Sequence, residues 1–298
     1  MQPVGQEFEA RKPWSSARTI GMKELCMNTR DVSVDDPLED FSTWQFEFGG
    51  DSKKVYLAGA GPAVIVMPEV PGISPPVARF ARWVRDAGFR VYMPSLFGRD
   101  GAVVDADEGA AVLQRLCISA EFSAMQSGRS SKVTHWVRAL ARHAHAECGG
   151  PGVGAVGMCF TGNFALTMML DSALIAPVLA QPALPLNDPG GLEISPEELS
   201  QVRSRLDREG LKVVGLRFRD DPLCTAARFT AYRNALGEHF EGIVLPDEVA
   251  NKDVAPFVAK YVPSPHSVLT QNLIDKEGEP TLKVRDQVLE FLKQRLQA

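Results

Sequence analysis

From residue 53 onward, apolar and polar positions follow two alternating rhythms. "KKVYLA" (53–58) and "AVIVM" (63–67) are short runs of strand length, rich in β-branched residues. "PVARFARWVRDAG" (76–88) carries apolar residues three and four apart and stops at Gly88, the pattern of an amphipathic helix, and "RVYMP" (90–94) is again a strand. The opening is thus β-β-α-β. Helices are predicted over 105–123 and 132–147, the second with Val133, Trp136, Val137, Leu140 and Ala141 along one face. "VGAVGM" (153–158) is a strand that runs straight into Cys159 and a predicted helix, "GNFALTMML" (162–170).

The alternation then repeats. "ALIAPVLAQ" (173–181), "LKVVGLRF" (211–218) and "FEGIVL" (240–245) are predicted strands; 195–210, 225–237 and 281–296 are predicted helices. Ser195, with Glu198 three residues on, is a capping-box start. Strands that alternate with helices imply an α/β fold, a mostly parallel sheet with helices on both faces. In such sheets ligands bind at the carboxyl ends of strands. Residues 1–40 are polar, without clear periodicity or motif, and are expected to form a partly irregular extension to a single domain over 41–298.

Composition narrows the function. The 298 residues are 45% hydrophobic, enough for a large core without staples. Five cysteines are odd in number, widely spaced and free of C-x-x-C or zinc-site spacing, so reduced thiols and no structural metal are expected. A net charge of -5 with acids and bases interspersed argues against nucleic acid or an anionic membrane as partner. There is no apolar leader at the N-terminus and no run near 18 apolar residues, which points to a cytoplasmic protein with a small-molecule ligand.

The chemistry starts at Cys159. It lies at a strand's carboxyl end with Gly157 and Gly162 close by, as a strand-to-helix elbow requires, since strained backbone there leaves room only for small neighbours. A thiol so placed would be activated by the N–H groups of the following helix. A nucleophile of this architecture is followed in the chain by an acid and then a histidine. Asp220 and Asp221 follow the strand "VVGLRF", and His266 sits in "PSPHSVLT" after the last strand. His135, His143 and His145 fall on the helix before the elbow, and His239 falls at the wrong place in the order.

Five blocks, "VIVMPEVPGIS", "GFRVYMPSLFGRDG", "GAVGMCFTGNFAL", "LRFRDDPLCTAARF" and "PHSVLT", together resemble the dienelactone hydrolase family, a cysteine-nucleophile branch of the α/β-hydrolase fold. The resemblance spans about 53 to 296 and implies Cys159 as nucleophile, His266 as base and Asp221 as orienting acid. It implies that Glu69 manages the proton of the resting thiol, that the N–H groups of Phe160 and Val70 form an oxyanion hole, and that Arg99 grips a substrate carboxylate. Two departures stand out. Thr161 replaces the glycine usual two residues after the cysteine, and Thr270 replaces a second carboxylate-binding arginine. The loop before His266, some 20 residues, is long enough to serve as a lid.

The expected function is hydrolysis of a small ester or lactone, one able to carry a carboxylate, through a cysteinyl thioester and without metal or organic cofactor. The alternatives are a non-catalytic small-molecule binding protein on the same fold, and acyl transfer to an acceptor other than water.

Overall fold

Successive side chains of a strand point to opposite faces, so a strand covered on both sides must be apolar throughout. β3 (Ala63–Met67) meets that demand: Val64 and Val66 pack into one core layer, Ile65 and Met67 into the other. The same holds for β5 (Val153–Met158) and β7 (Val213–Phe218), buried along their whole length. The computed structural model describes residues 30–119, 121–122, 128–262 and 264–297, and most of the expected N-terminal extension, residues 1–29, lies outside them.

β3 and β5 are central strands of an eight-stranded sheet that also contains β1 (Ser42–Phe48), β2 (Asp51–Ala58), β4 (Arg90–Pro94), β6 (Leu174–Ala180) and β8 (Phe240–Leu245). The order is β1-β2-β4-β3-β5-β6-β7-β8; β1–β2 and β2–β4 pair antiparallel, and every other neighbour is parallel. α1 (Pro75–Asp86) and α8 (Pro280–Leu296) cover one face through Phe80, Val84, Val288 and Leu292. α3 (Val133–Cys148) covers the other with Trp136, Val137, Leu140 and Ala141. Between them in the chain lies α2 (Ala106–Ile118), whose N-cap Asp105 accepts from the N–H groups of Asp107 and Glu108. The capping box at Ser195 and Glu198 opens α5 (Pro196–Glu209), and α6 (Ala226–Leu236) starts at the cap Thr225.

Three elements differ from expectation. β1 was not anticipated, because only Phe46 of "STWQFEF" is buried in this edge strand. The helix expected over 162–170 is broken into a 3-10 turn at Cys159–Thr161, a four-residue α4 (Phe164–Thr167) and a second 3-10 turn at Met168–Leu170. Its last carbonyls are taken by the buried Arg205 guanidinium, which donates to Met169, Asp171 and Ser172 at 2.8, 2.6 and 2.9 Å. The long loop before His266 contains α7 (Pro256–Tyr261). Ahead of β1, Asp36 and Asp40 clamp Arg82 of α1 at 2.5 and 2.7 Å, which fixes residues 30–41 to the helix layer.

Candidate active site

The carboxyl ends of β3, β5, β6 and β7 and the loop after α7 converge on one buried group of polar side chains. β5 delivers Cys159, whose φ of 55° lies in the left-handed region that side chains other than glycine rarely adopt. The sharp turn needs space around it. A Cβ on Gly157 would stand 2.1 Å from the Thr161 carbonyl oxygen, and one on Gly162 would stand 2.5 Å from Cα of Pro182. With the following helix only four residues long, little macrodipole acts on the thiol; the turn geometry carries the placement.

Thr161 points away from the cavity and is fully buried. Its Oγ1 accepts the Met158 N–H at 2.8 Å, and its proton faces the carbonyls of Met158, Met67 and Pro68 at 3.0 to 3.2 Å. One hydroxyl therefore ties the elbow to the end of β3, just before Glu69 and Val70.

The loop after β7 supplies Asp221, and the loop after α7 supplies His266. Asp221, not its exposed neighbour Asp220, meets the imidazole: His266 Nδ1 donates to Asp221 Oδ2 at 2.7 Å, with both groups buried. Asp221 Oδ1 accepts from the N–H groups of Leu223 and Cys224 at 2.9 and 3.1 Å. Burial raises the Asp221 pKa, but the charge and hydrogen bond of His266 and these two amides bring it below the ordinary carboxylate value. For His266, burial acts to lower the pKa; the Asp221 carboxylate and the nearby Cys159 thiol outweigh it and hold the imidazole well above its ordinary value. The other ring nitrogen, Nε2, is buried without a hydrogen-bond partner among the described residues. Cys159 is close enough to raise the pKa of the ring.

Glu69 meets the segment just after His266. Its carboxyl accepts from Thr270 Oγ1 at 2.5 Å, Ser267 Oγ at 2.8 Å and Gln181 Nε2 at 3.2 Å. Burial pushes its pKa up, and these neutral donors and the His266 charge offset it only in part. The expected partner, the Cys159 thiol, shares the cavity with Glu69 without a hydrogen bond to it among the described residues. Gln181, Ser267 and Asn272 were not anticipated. Gln181 follows β6 with φ 36° and accepts the Val268 N–H as well, while Asn272 Oδ1 takes the N–H groups of His266 and Ser267, both at 2.9 Å. Gln181 was signalled by a lone amide at the end of an otherwise apolar strand; Asn272 left no sequence signal.

Cys159, His266 and Glu69 open on a cavity of about 140 Å³ that Val70 and Phe160 also line. The Val70 N–H has no acceptor among the described residues. Its outer wall is apolar, with Leu113 from α2 and Phe257 and Val258 from α7. The Phe257 ring fits against Gly109, where a Cβ would stand 2.3 Å from the ring. Arg99 is not brought to this cavity, contrary to expectation. Its guanidinium is 58% exposed and is held by both oxygens of Glu108 at 2.7 and 3.0 Å, because the first turn of α2 presents that carboxylate beside it. Thr270 is near the site but is engaged with Glu69.

A sheet of this order, with a strained turn at Cys159 after β5 and an acid and a histidine on later loops, is that of the α/β-hydrolase fold. The resemblance to the dienelactone hydrolase family is borne out by the family model, which matches residues 52–186, a span that holds Glu69 and Cys159 and ends before Asp221 and His266. Among solved structures, a dienelactone hydrolase-like promiscuous phosphotriesterase from metagenomic libraries is 18% identical, with a TM-score of 0.55 over 85% of this chain and 97% of that one. A protein designated a dienelactone hydrolase from Klebsiella pneumoniae is 16% identical, with a TM-score of 0.53 over 85% and 98%. A cold-adapted esterase from an Arctic intertidal metagenomic library is 15% identical, with a TM-score of 0.52 over 90% and 96%. At these identities the likeness concerns the fold. No curated protein sequence matches the chain significantly.

Proposed function

We propose that the protein hydrolyses a small ester or lactone through a thioester on Cys159. The observation that carries this reading is His266: one ring nitrogen is fixed by buried Asp221, and the other is buried, unpartnered and on the same cavity as Cys159. A raised imidazole pKa favours the imidazolium that a thiolate needs beside it.

The sulfur of Cys159 attacks the acyl carbon, and the negative charge moves to the carbonyl oxygen, where the Phe160 and Val70 N–H groups stabilise it. The C–O bond to the leaving group breaks as His266 gives that oxygen its proton. Water then attacks the thioester while His266 takes one of its protons; the C–S bond breaks, and the carboxylic acid and free thiol are released. Asp221 keeps the ring oriented through both halves. Glu69 organises the loop under His266 through Ser267 and Thr270, and any part in managing the thiol's proton runs through that loop.

The test is hydrolysis of p-nitrophenyl butyrate by wild type and by Cys159→Ala. Wild-type turnover that falls at least about a thousandfold in the variant is the expected result. Turnover that survives in the variant would contradict the thioester route, and a wild type inert to esters and lactones alike would favour the binding-protein alternative.

A further inference from the structure

The resemblance leads to the expectation of a carboxylate-bearing substrate, and the cavity is built against one. Its side walls are Leu113, Leu186, Leu223, Phe257, Val258 and Val262 together with the neutral phenol of Tyr261, and neither lysine nor arginine is among the described residues that line it. The two positions expected to be cationic are otherwise occupied. Arg99 is bound to Glu108 at the surface, and residue 270 is a threonine whose hydroxyl is donated to Glu69. Arg79 does reach the Thr270 carbonyl at 3.2 Å, but it lines a separate surface groove.

We infer that the acyl site takes a neutral, apolar acyl group of about four to six carbon atoms, a size set by a cavity close to that which holds one benzene molecule, and rejects acyl groups that end in a carboxylate. The inference rests on the thioester reading of the site. Its physical basis is the cost of desolvating an ion that no lysine or arginine receives, the one cationic group on the cavity, His266, being already paired with Asp221. Glu69 adds to that cost, because a second carboxyl group beside a buried one disfavours ionisation of either.

The probes are p-nitrophenyl 4-methylpentanoate and mono-p-nitrophenyl succinate, whose acyl groups have nearly the same shape and differ in charge, together with straight-chain esters from acetate to decanoate. Wild type is expected to favour the neutral member of the pair at least about a hundredfold in kcat/KM, corrected for spontaneous hydrolysis, and to peak between butyrate and hexanoate. Leu113→Ala, which widens the α2 wall away from the reacting groups, is expected to shift the peak to longer chains; Leu113→Arg is expected to narrow the preference for the neutral ester at least about tenfold. If the succinate ester acylates Cys159 as fast as its neutral counterpart, the inference fails while the thioester reading stands. A flat chain-length profile that Leu113→Ala does not move would also overturn it. If no ester acylates Cys159, both fail together.

Discussion

Asp221 and Glu69 occupy two loops at the same edge of the sheet, both reach the segment that holds His266, and they are 2% and 4% exposed. Their carboxyl groups nevertheless shift in opposite directions. Burial raises both; at Asp221 it is overcome by an adjacent imidazole and two backbone amides, whereas the contacts of Glu69 are two hydroxyls and one carboxamide, all neutral. Depth alone therefore does not decide the state of a buried acid; the charge of what it touches does. Asp221 is held as an anion that can support an imidazolium, and Glu69 is pushed toward a neutral acid that fixes a loop.

The largest effect that tests this contrast is expected from Asp221→Asn. Loss of the anion leaves the ring without its orienting partner, and kcat is expected to fall by about 10³- to 10⁴-fold. The His266 pKa should fall as well, since the carboxylate is the main influence that raises it. A pH profile of kcat/KM checks both.

Next in size is Thr161→Val, which keeps the shape and removes the hydroxyl that joins Met158 to the carbonyls before Glu69. If that tie sets the spacing of the Phe160 and Val70 N–H groups proposed to hold the oxyanion, kcat should drop about 10- to 100-fold with KM little changed, and Thr161→Ser should restore most of it. A variant that lowers stability and leaves kcat alone would limit Thr161 to a structural role.

Glu69→Gln should cost less than about tenfold in kcat, because the amide oxygen can still accept from Ser267 and Gln181 while the amide NH2 donates to the Thr270 hydroxyl. Its effect should appear in the pH dependence of Cys159 alkylation, where removing a proton-binding group near the thiol displaces the profile. A loss as large as that of Asp221→Asn would erase the distinction between the two carboxyls.

Glu193 extends the comparison to a buried acid with fewer donors still. One oxygen accepts the Ser131 N–H at 2.7 Å, the other has no partner among the described residues, and burial pushes the pKa up to about 8. A folded-state pKa above the unfolded value of 4.5 means that the folded protein holds a proton the unfolded chain releases. Stability is therefore lost as pH rises from about 4.5 through about 8. Glu193→Gln should match wild type near pH 5 and exceed it by about 1–3 kcal/mol at pH 8, with little change in activity. Urea unfolding at both pH values measures the difference.

The parts of the molecule that could be read from sequence share one physical property. β3, β4 and β5 run over the expected residues because strands buried in the sheet interior are nearly continuous apolar runs, and the edge strand β8 does so because its apolar run "FEGIVL" ends at Pro246. The elbow could be read from its glycines, and the choice of an acid after β7 and a histidine after β8 followed from chain order. β1 could not be read, since an edge strand that buries only Phe46 and half-buries Trp44 carries too little hydrophobic signal. Nor could the outward turn of Arg99, which depends on where the first turn of α2 presents Glu108, a tertiary fact with no local pattern. Gln181 and Asn272 act through single hydrogen bonds to distant loops, and only the assembled fold brings their partners within reach.

The central claim, an acyl group carried on Cys159 beside a charged His266–Asp221 pair, is tested most directly by intact-mass analysis of the acid-quenched reaction with p-nitrophenyl butyrate. One added butyryl group is expected, located on the peptide that contains Cys159 and absent from Cys159→Ala. A butyryl group found on another side chain, or steady turnover with no acyl-protein at any quench time and undiminished in Cys159→Ala, would contradict it.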